Sequence, residues 1–148
     1  MDIRRITCRQ AWNDAAWRDI EAQYRRDLPD LDFEPDIDYQ QYELMESTGN
    51  FHCVGAYDGD RLVGILTFFE SFHPLKRDLL VARSELLWVA PSLRGHGLAA
   101  SLMAEASSWA QERGCSGFYW CVRAGTRADE IMRKHFGNPA EVNYWQQL

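Results

Sequence analysis

Long apolar runs are absent from this sequence, and so is an apolar core near its N-terminus. No hydrophobic stretch approaches the roughly 20 residues of a membrane-spanning helix, and residues 1–6 are too polar for a secretory signal. Internal repeats and Gly/Ser linkers are also missing from the 148 residues. We therefore expect one soluble domain spanning residues 1–148 that is cytoplasmic and does not associate with a membrane.

Cysteine and histidine are too widely spaced to indicate a metal centre or a disulfide framework. The sequence has no CxxC pair, and no two histidines stand at a metal-ligand spacing with a cysteine or an acid. We interpret the cysteines as reduced thiols and expect no metal. They are Cys8, Cys53, Cys115 and Cys121.

Clustered basic residues are lacking as well. The formal net charge of −6 argues against a large nucleic-acid-binding surface, which needs grouped Lys and Arg. It favours a cationic partner such as an amine. Residues 30–38 carry five carboxylates and no basic side chain. They form either a solvated loop or a negative rim that attracts a cationic acceptor.

Hydrophobic periodicity predicts an α/β fold with a mixed, partly antiparallel sheet. An Asp-Gly turn at Asp58 joins two of the strands in a hairpin, and residues 71–78 form a polar link. Predicted strands span residues 3–5, 51–57, 61–69, 79–90, 116–122 and 142–147. Predicted helices span residues 12–26, 39–47, 97–113 and 126–135.

The segment VAPSLRGHGLA, residues 89–99, joins a predicted strand to the longest predicted helix. Its two glycines let a backbone approach a ligand closely, and the unpaired amides of a helix N-terminus attract anions. An ordinary tight connection would also use glycine. The proline that ends the strand, the arginine before the glycines and the immediate start of the helix favour a phosphate site.

This segment resembles the acyl-CoA signature of the GNAT N-acetyltransferase superfamily, Gln/Arg-x-x-Gly-x-Gly/Ala, through Arg94, Gly97 and Ala99. The order of elements from about Phe51 onward is also similar. The resemblance implies a twisted sheet flanked by helices, with amides of residues 93–99 around the pyrophosphate of acetyl-CoA and residues 88–90 along its pantetheine arm. The residues so implied are Trp88, Val89, Leu93, Arg94, Gly95, His96, Gly97, Leu98 and Ala99.

Glu85 is the candidate catalytic residue. It interrupts an apolar strand, and two-residue alternation places it on one face with Leu87 and Val89. Loss of solvation there would raise its pKa toward the range of a general base. In the resembling family, an acidic residue of this strand often accepts the amine proton. The alternative is a structural ion pair with Arg83, Arg61 or another cation.

The resemblance implies a general acid in the last helix, a tyrosine just before a Gly-Phe pair. Aligning Gly137 with that glycine puts Arg133 in the tyrosine's place. Arg133 could stabilise a departing thiolate without donating a proton. Other protic candidates are Tyr144, Tyr119 and Cys121.

The sequence thus predicts transfer of an acetyl group from acetyl-CoA to a primary amine of a small molecule or peptide. One alternative is an acyl-CoA-binding module of the same fold with weak chemistry. Another is a protein-interaction domain that neither binds acyl-CoA nor catalyses acyl transfer. The acceptor and the oligomeric state stay open, with a homodimer among the alternatives.

Overall fold

One sheet of five strands organises the part of the chain that the computed structural model describes, residues 1–27 and 36–142. The strands are β1 (Asp2–Ile6), β2 (Phe51–Asp58), β3 (Arg61–His73), β4 (Lys76–Val89) and β5 (Gly117–Tyr119). The helices are α1 (Cys8–Trp12), α2 (Trp17–Asp27), α3 (Tyr39–Ser47), α4 (Leu98–Glu112) and α5 (Arg127–Phe136).

The strands follow one another across the sheet in chain order. Strands β1 to β4 pair antiparallel, and β5 pairs parallel to β4. The predicted fold class, a mixed sheet flanked by helices, is therefore confirmed. The Asp-Gly turn is confirmed too, because Asp58 pairs with Arg61 and Gly59 adopts a φ of 60°.

The prediction of a polar link at residues 71–78 is wrong. Strands β3 and β4 continue to pair as far as His73 opposite Lys76, which makes a long hairpin. Ladder hydrogen bonds join backbone groups, so polar side chains do not stop them. The predicted strand over residues 116–122 is too long: β5 covers only Gly117–Tyr119, because its pairing with β4 extends only from Val81 to Arg83.

The predicted helix over residues 12–26 is wrong in its start and continuity. Helix α1 begins earlier because Thr7 forms a capping box with Gln10. A break then separates α1 from α2, and in it the Asp14 carboxylate accepts from the amide of Ala16 at 2.8 Å. This local hydrogen bond competes with continued helix although the apolar stripe runs on.

Two predicted segments lie wholly or mostly outside the described residues: the C-terminal strand over residues 142–147 and the acidic segment over residues 30–38. Among the helices that are described, none combines the length and hydropathy needed to cross a membrane.

The core has two layers, one on each side of the sheet. Helices α1, α2 and α3 cover one face, with Trp17, Ile20, Phe51 and Ile65 among its buried residues. Helix α4 covers the other face, with Val54, Leu66, Phe68, Leu102 and Ala106 buried beneath it.

Close approach of α4 to the sheet depends on small residues. A Cβ at Gly64 of β3 would lie 3.1 Å from Cδ1 of Leu102, tighter than ordinary contact. Ala106 and Ala110 are buried on the same helix. This packing fixes the N-terminus of α4 close to the end of β4, because Leu98 and Val89 share the cluster.

Truncating Leu102 should test this packing. Leu102 is fully buried, so Leu102→Ala should lower the free energy of unfolding by about 2–5 kcal/mol through lost contacts and a cavity. Leu44→Ala, at a position 57% exposed on α3, should change it by less than about 0.5 kcal/mol. Urea-induced unfolding measures both, and equal effects would contradict the assignment of the core.

Candidate active site

Glu85 lies on β4 where its pairing with β3 slips by one residue. Thr67 is opposite Leu86, whereas Phe68 is opposite Ser84, so Glu85 has no partner on β3. The amide of Leu86 donates to Oγ1 of Thr67 at 3.2 Å. Such a bulge changes the direction in which a side chain points.

The bulge makes the predicted orientation of Glu85 wrong. Leu87 and Val89 pack in the layer under α4, whereas Trp88 packs in the layer of α1 to α3. Glu85 contacts Tyr42 of α3 and so lies on the side of Trp88. Two-residue alternation holds only in an unbroken ladder, and one extra residue shifts it.

Tyr42 is the hydrogen-bond partner of Glu85. Its hydroxyl donates a hydrogen bond to Oε1 of the carboxylate. Burial against the protein raises the pKa of Glu85 above its ordinary value, and the hydrogen bond from Tyr42 partly offsets this rise. Part of the Glu85 side chain nevertheless keeps contact with solvent.

The alternative role of Glu85 as an ion-pair partner is not what the structure shows. Arg83 pairs with Glu141 at 3.5 Å and lies over the ring of Tyr119. Within residues 1–27 and 36–142, neither Arg61 nor another cation forms a salt bridge with Glu85.

Other titratable groups near Glu85 keep their protons at neutral pH. Burial and then the charge of Glu85 raise the pKa of Tyr24 on α2, while Arg123 lowers it in part. Contact with the Cys8 thiol and burial raise the pKa of Cys53 on β2, which also feels the charge of Glu85. Tyr24 and Cys53 therefore stay neutral beside the Glu85 carboxylate.

Strands β4 and β5 separate just before Glu85. Their pairing ends with Arg83 opposite Tyr119, and Oγ of Ser84 then accepts from the amide of Cys121 at 2.8 Å. Beyond that point, the edge of β4 that faces β5 has no partner strand in the described part of the chain. The two strands thus leave an open backbone edge.

The amide of Val89 points into this opening. The next amide, that of Ala90, donates to the carbonyl of Val63 on β3 at 2.9 Å. Because neighbouring residues of a strand direct their N–H groups to opposite edges, the N–H of Val89 faces away from β3.

The glycine-rich turn connects the end of β4 with α4. A 3₁₀ turn, Pro91–Leu93, follows the strand, and Gly95 and Gly97 adopt φ angles of 85° and 84°. A Cβ at either glycine would meet nothing within 4 Å. The turn therefore needs glycine for its left-handed backbone, and the space beside it is open.

The amides of this turn divide into two groups. Those of Leu93 and Arg94 donate to the carbonyls of Ala90 and Pro91, at 2.8 and 3.4 Å, so they are not available to a ligand. Those of residues 95–99 have no hydrogen-bond partner within the described residues. Of the amides of residues 93–99 that the resemblance places around a pyrophosphate, those of residues 95–99 are the ones without an internal partner in the described part of the chain.

Arg94 turns back onto the protein. Its Nε donates to the carbonyl of Val89 at 3.0 Å, and its Nη2 pairs with Asp27, the last residue of α2, at 2.7 Å. The side chain thus closes the turn against β4 and ties it to α2. His96 is exposed, whereas Leu98, the first residue of α4, is buried against the sheet.

The described candidates for a general acid make no direct bond with Glu85, although Tyr119 pairs opposite Arg83 and the amide of Cys121 donates to Ser84. Arg133 binds Asp129 at 2.8 Å within α5. Cys121 is exposed, and partial burial of its thiol raises its pKa. Tyr144 lies outside the described residues. None of the described candidates makes a hydrogen bond or ion pair with Glu85.

One group of potential metal ligands exists among the described residues. Cys8, Glu46 and Cys53 place three ligand atoms within 4.8 Å of one another. Each is already engaged: the thiols are 3.6 Å apart, and Glu46 accepts from the amide of Cys8 at 2.8 Å. Three ligands fall short of the four of a structural zinc site.

Sequence reasoning missed Tyr42. It lies 43 residues before Glu85, and only the packing of α3 against the sheet brings the two together. The sequence carries no local signal for this contact, since α3 has a weakly segregated face with no fully buried residue.

Comparison with known proteins gives one family and many similar folds. The model of the Acetyltransferase (GNAT) family matches residues 10–137. A comparison with curated protein sequences found no match.

Solved structures of similar fold include three instructive ones. A ribosomal-protein-alanine N-acetyltransferase from Brucella melitensis biovar Abortus 2308 has 18% identity and a TM-score of 0.71, covering 100% of this chain and 99% of that chain. The second is an aminoglycoside acetyltransferase, meta-AAC0020, from an uncultured soil metagenomic sample, in complex with sisomicin. It has 15% identity and a TM-score of 0.74, and the match covers 99% of this chain and 95% of that chain. The third is a predicted acetyltransferase with acetyl-CoA from Clostridium acetobutylicum. It has 14% identity and a TM-score of 0.70, and the match covers 99% of this chain and 94% of that chain. At these identities the likeness shows the fold.

The raised pKa of Glu85 should make Glu85→Gln stabilising at neutral pH. The folded protein holds the Glu85 proton to higher pH than the unfolded chain, so wild-type stability falls as pH rises from about 4 through the folded pKa. The advantage of the glutamine variant should be absent well below pH 4, grow across that window and then level off. Urea-induced unfolding between pH 3 and 8 measures it.

Glu112→Gln is the matched control, in which the change in stability at neutral pH should have the opposite sign. A hydrogen bond from Arg5 lowers the pKa of Glu112, so this carboxylate contributes stability above its unfolded pKa. The variant should be the less stable one at neutral pH and should equal wild type at low pH. Parallel behaviour of the two variants would contradict the environment assigned to Glu85.

Proposed function

We propose that this chain, which belongs to the acetyltransferase (GNAT) family, transfers an acetyl group from acetyl-CoA to a primary amine of a small molecule or peptide. The observation that carries the proposal is a juxtaposition at one end of the sheet. Unpartnered amides at the start of α4 lie beside the open edge of β4, and Glu85 lies farther along the same strand.

The CoA end of the cosubstrate would bind in two parts. Amides of residues 95–99 would hold the pyrophosphate, aided by the positive end of the α4 dipole. The pantetheine arm would lie along the open edge of β4 near Trp88 and Val89, in the manner of an added strand. Leu93 and Arg94 would contribute by shaping the turn, since their amides bond internally.

Glu85 would act as the general base. It takes one proton from the acceptor ammonium, and the free amine attacks the thioester carbonyl. The amide of Val89, which faces the opening, would stabilise the oxyanion. The C–N bond forms as the C–S bond breaks, and the second amine proton passes to the thiolate, directly or through water.

Distance along β4 favours a water relay. Val89 lies four positions after Glu85, which corresponds to ~13 Å between their Cα atoms at about 3.3 Å per residue. The glutamate side chain bridges part of this distance. We therefore propose that proton transfer to Glu85 passes through at least one water.

The acceptor is proposed to be cationic. The formal net charge of −6 supports this because it attracts ammonium groups. Two proteins of similar fold are named for amine acceptors, a ribosomal-protein alanine and an aminoglycoside. Those acceptors belong to those proteins; the shared chemistry is a primary amine.

A second candidate is an acyl-CoA-binding module without efficient transfer. It is favoured by Arg133, which stands where the resembling family often has a tyrosine and is engaged by Asp129 at 2.8 Å. Such a module would keep the site at α4 and lack turnover.

Gly97→Asp should abolish detectable binding of acetyl-CoA. The aspartate adds bulk and a negative charge beside the pyrophosphate, against the dipole that attracts it. Gly97→Asn is the matched control, because both side chains tolerate the left-handed φ of 84° and differ mainly in charge. Calorimetric titration of folded variants measures the effect. Unchanged affinity in Gly97→Asp would refute the proposed site.

Glu85→Gln should lower kcat/KM for amine acetylation by about 10²–10⁴-fold, because the base is lost while the shape is kept. A panel of primary amines, assayed by mass spectrometry of the acetylated product, measures it, with Glu112→Gln as an unaffected control on α4. Binding of acetyl-CoA with no acetylation of any amine would favour the binding module instead.

A further inference from the structure

We propose that Tyr42 is a positioning residue for Glu85: its hydroxyl holds one carboxylate oxygen and leaves the other directed to the acceptor. This inference rests on the proposed function, because it names the residue that orients the general base. Tyr42 belongs to α3, which neither binds the glycine turn nor forms part of β4.

The hydrogen-bond pattern of the carboxylate carries the proposal. Oε1 of Glu85 accepts from the Tyr42 hydroxyl, whereas Oε2 has no partner among residues 1–27 and 36–142. A carboxylate anchored through one oxygen loses most of its rotational freedom. The unpartnered Oε2 is then the atom that accepts a proton from an ammonium or from a bridging water.

Tyr42 is itself held on several sides. Its ring lies 5.0 Å from that of Phe51, 6.1 Å from that of Trp12 and 6.4 Å from that of Phe69, between ring centroids. Replacing tyrosine by phenylalanine therefore removes the hydroxyl and keeps the packing. Such packing restricts the ring to a narrow range of positions.

Helix α3 is fixed to α1 through Cys8. The carboxylate of Glu46, one turn after Tyr42, accepts from the amide of Cys8 at 2.8 Å. The carbonyl of Tyr42 lies 3.9 Å from the Cys8 thiol. Because α3 is held at Tyr42 and one turn after it, the Tyr42 hydroxyl has a fixed position relative to Glu85.

The hydrogen bond also tunes the protonation of Glu85. Burial raises the pKa of Glu85, and the Tyr42 hydroxyl lowers it in part by stabilising the charged form. Burial and the nearby carboxylate raise the pKa of Tyr42, so the hydroxyl remains a donor. Tyr24 and Cys53 also feel the charge of Glu85, and both stay neutral because their pKa values are raised.

Tyr42→Phe separates positioning from packing. It should lower kcat about tenfold, the cost of one charge-assisted hydrogen bond. It should also move the acidic limb of the pH profile of kcat/KM to higher pH, because the donor that favours the ionised carboxylate is gone. Loss of packing alone would not move that limb.

Tyr39→Phe is the matched control on the same helix. The Tyr39 hydroxyl accepts from Nε1 of Trp17 at 3.1 Å and lies 3.4 Å from Glu21, so its removal leaves the Glu85 hydrogen bond intact. The control should keep the wild-type pH profile. Identical profiles for wild type and both variants would overturn the inference.

Failure of the proposed function has a separate readout. In protein labelled with ¹³C at glutamate carboxyls, the Glu85 signal is identified by its loss in Glu85→Gln. Its titration midpoint should rise in Tyr42→Phe and stay in place in Tyr39→Phe. A higher Glu85 midpoint in Tyr42→Phe, with no amine acetylated by the wild-type protein, would support the positioning role and contradict acetyl transfer. An unchanged midpoint would contradict the positioning role, whether or not acetylation occurs.

Discussion

The one-residue slip between β3 and β4 is the constraint on which the rest of the site depends. Without it, alternation would direct Glu85 into the apolar layer beneath α4, where an unpaired carboxylate costs several kcal/mol. With it, the carboxylate emerges on the opposite face, beside the hydroxyl of Tyr42. The strand can therefore serve as a core element and carry an ionisable group at once.

The two layers of the core contribute different parts of the candidate site. The layer of α4 supplies the glycine turn and its free amides, and the layer of α1 to α3 supplies the partner of Glu85. Strand β4 belongs to both, since its alternate side chains pack on opposite faces. The pair between Arg94 and Asp27 joins the layers at the end of that strand.

Features encoded by neighbouring residues were predictable from the sequence. The glycine turn follows from a proline, two glycines and a helix within a short stretch, and the Asp58 hairpin follows from an Asp-Gly pair. The bulge at Glu85 was not, because it is a property of pairing between two strands and leaves the side-chain pattern of β4 unchanged.

Contacts between segments that are far apart in the sequence could not be predicted from it either. Tyr42 meets Glu85 only because α3 docks over β2 and β3, and nothing in its own helix marks it as functional. The break between α1 and α2 escaped periodicity because a single Asp14 hydrogen bond decides it while the apolar stripe continues. Thus the glycine turn and Glu85 could be selected from the sequence as candidates, whereas the contacts around the Glu85 carboxylate could not.

The internal hydrogen bonds of Leu93 and Arg94 have a consequence for affinity. By closing the 3₁₀ turn, they fix the backbone that leads into the glycines, so the amides that follow are aligned before any anion arrives. Preorganisation of this kind shifts the entropic cost of loop ordering from the binding step to folding. In the proposed complex, the free energy gained on contact with the diphosphate would then be retained as affinity instead of being spent on ordering the turn.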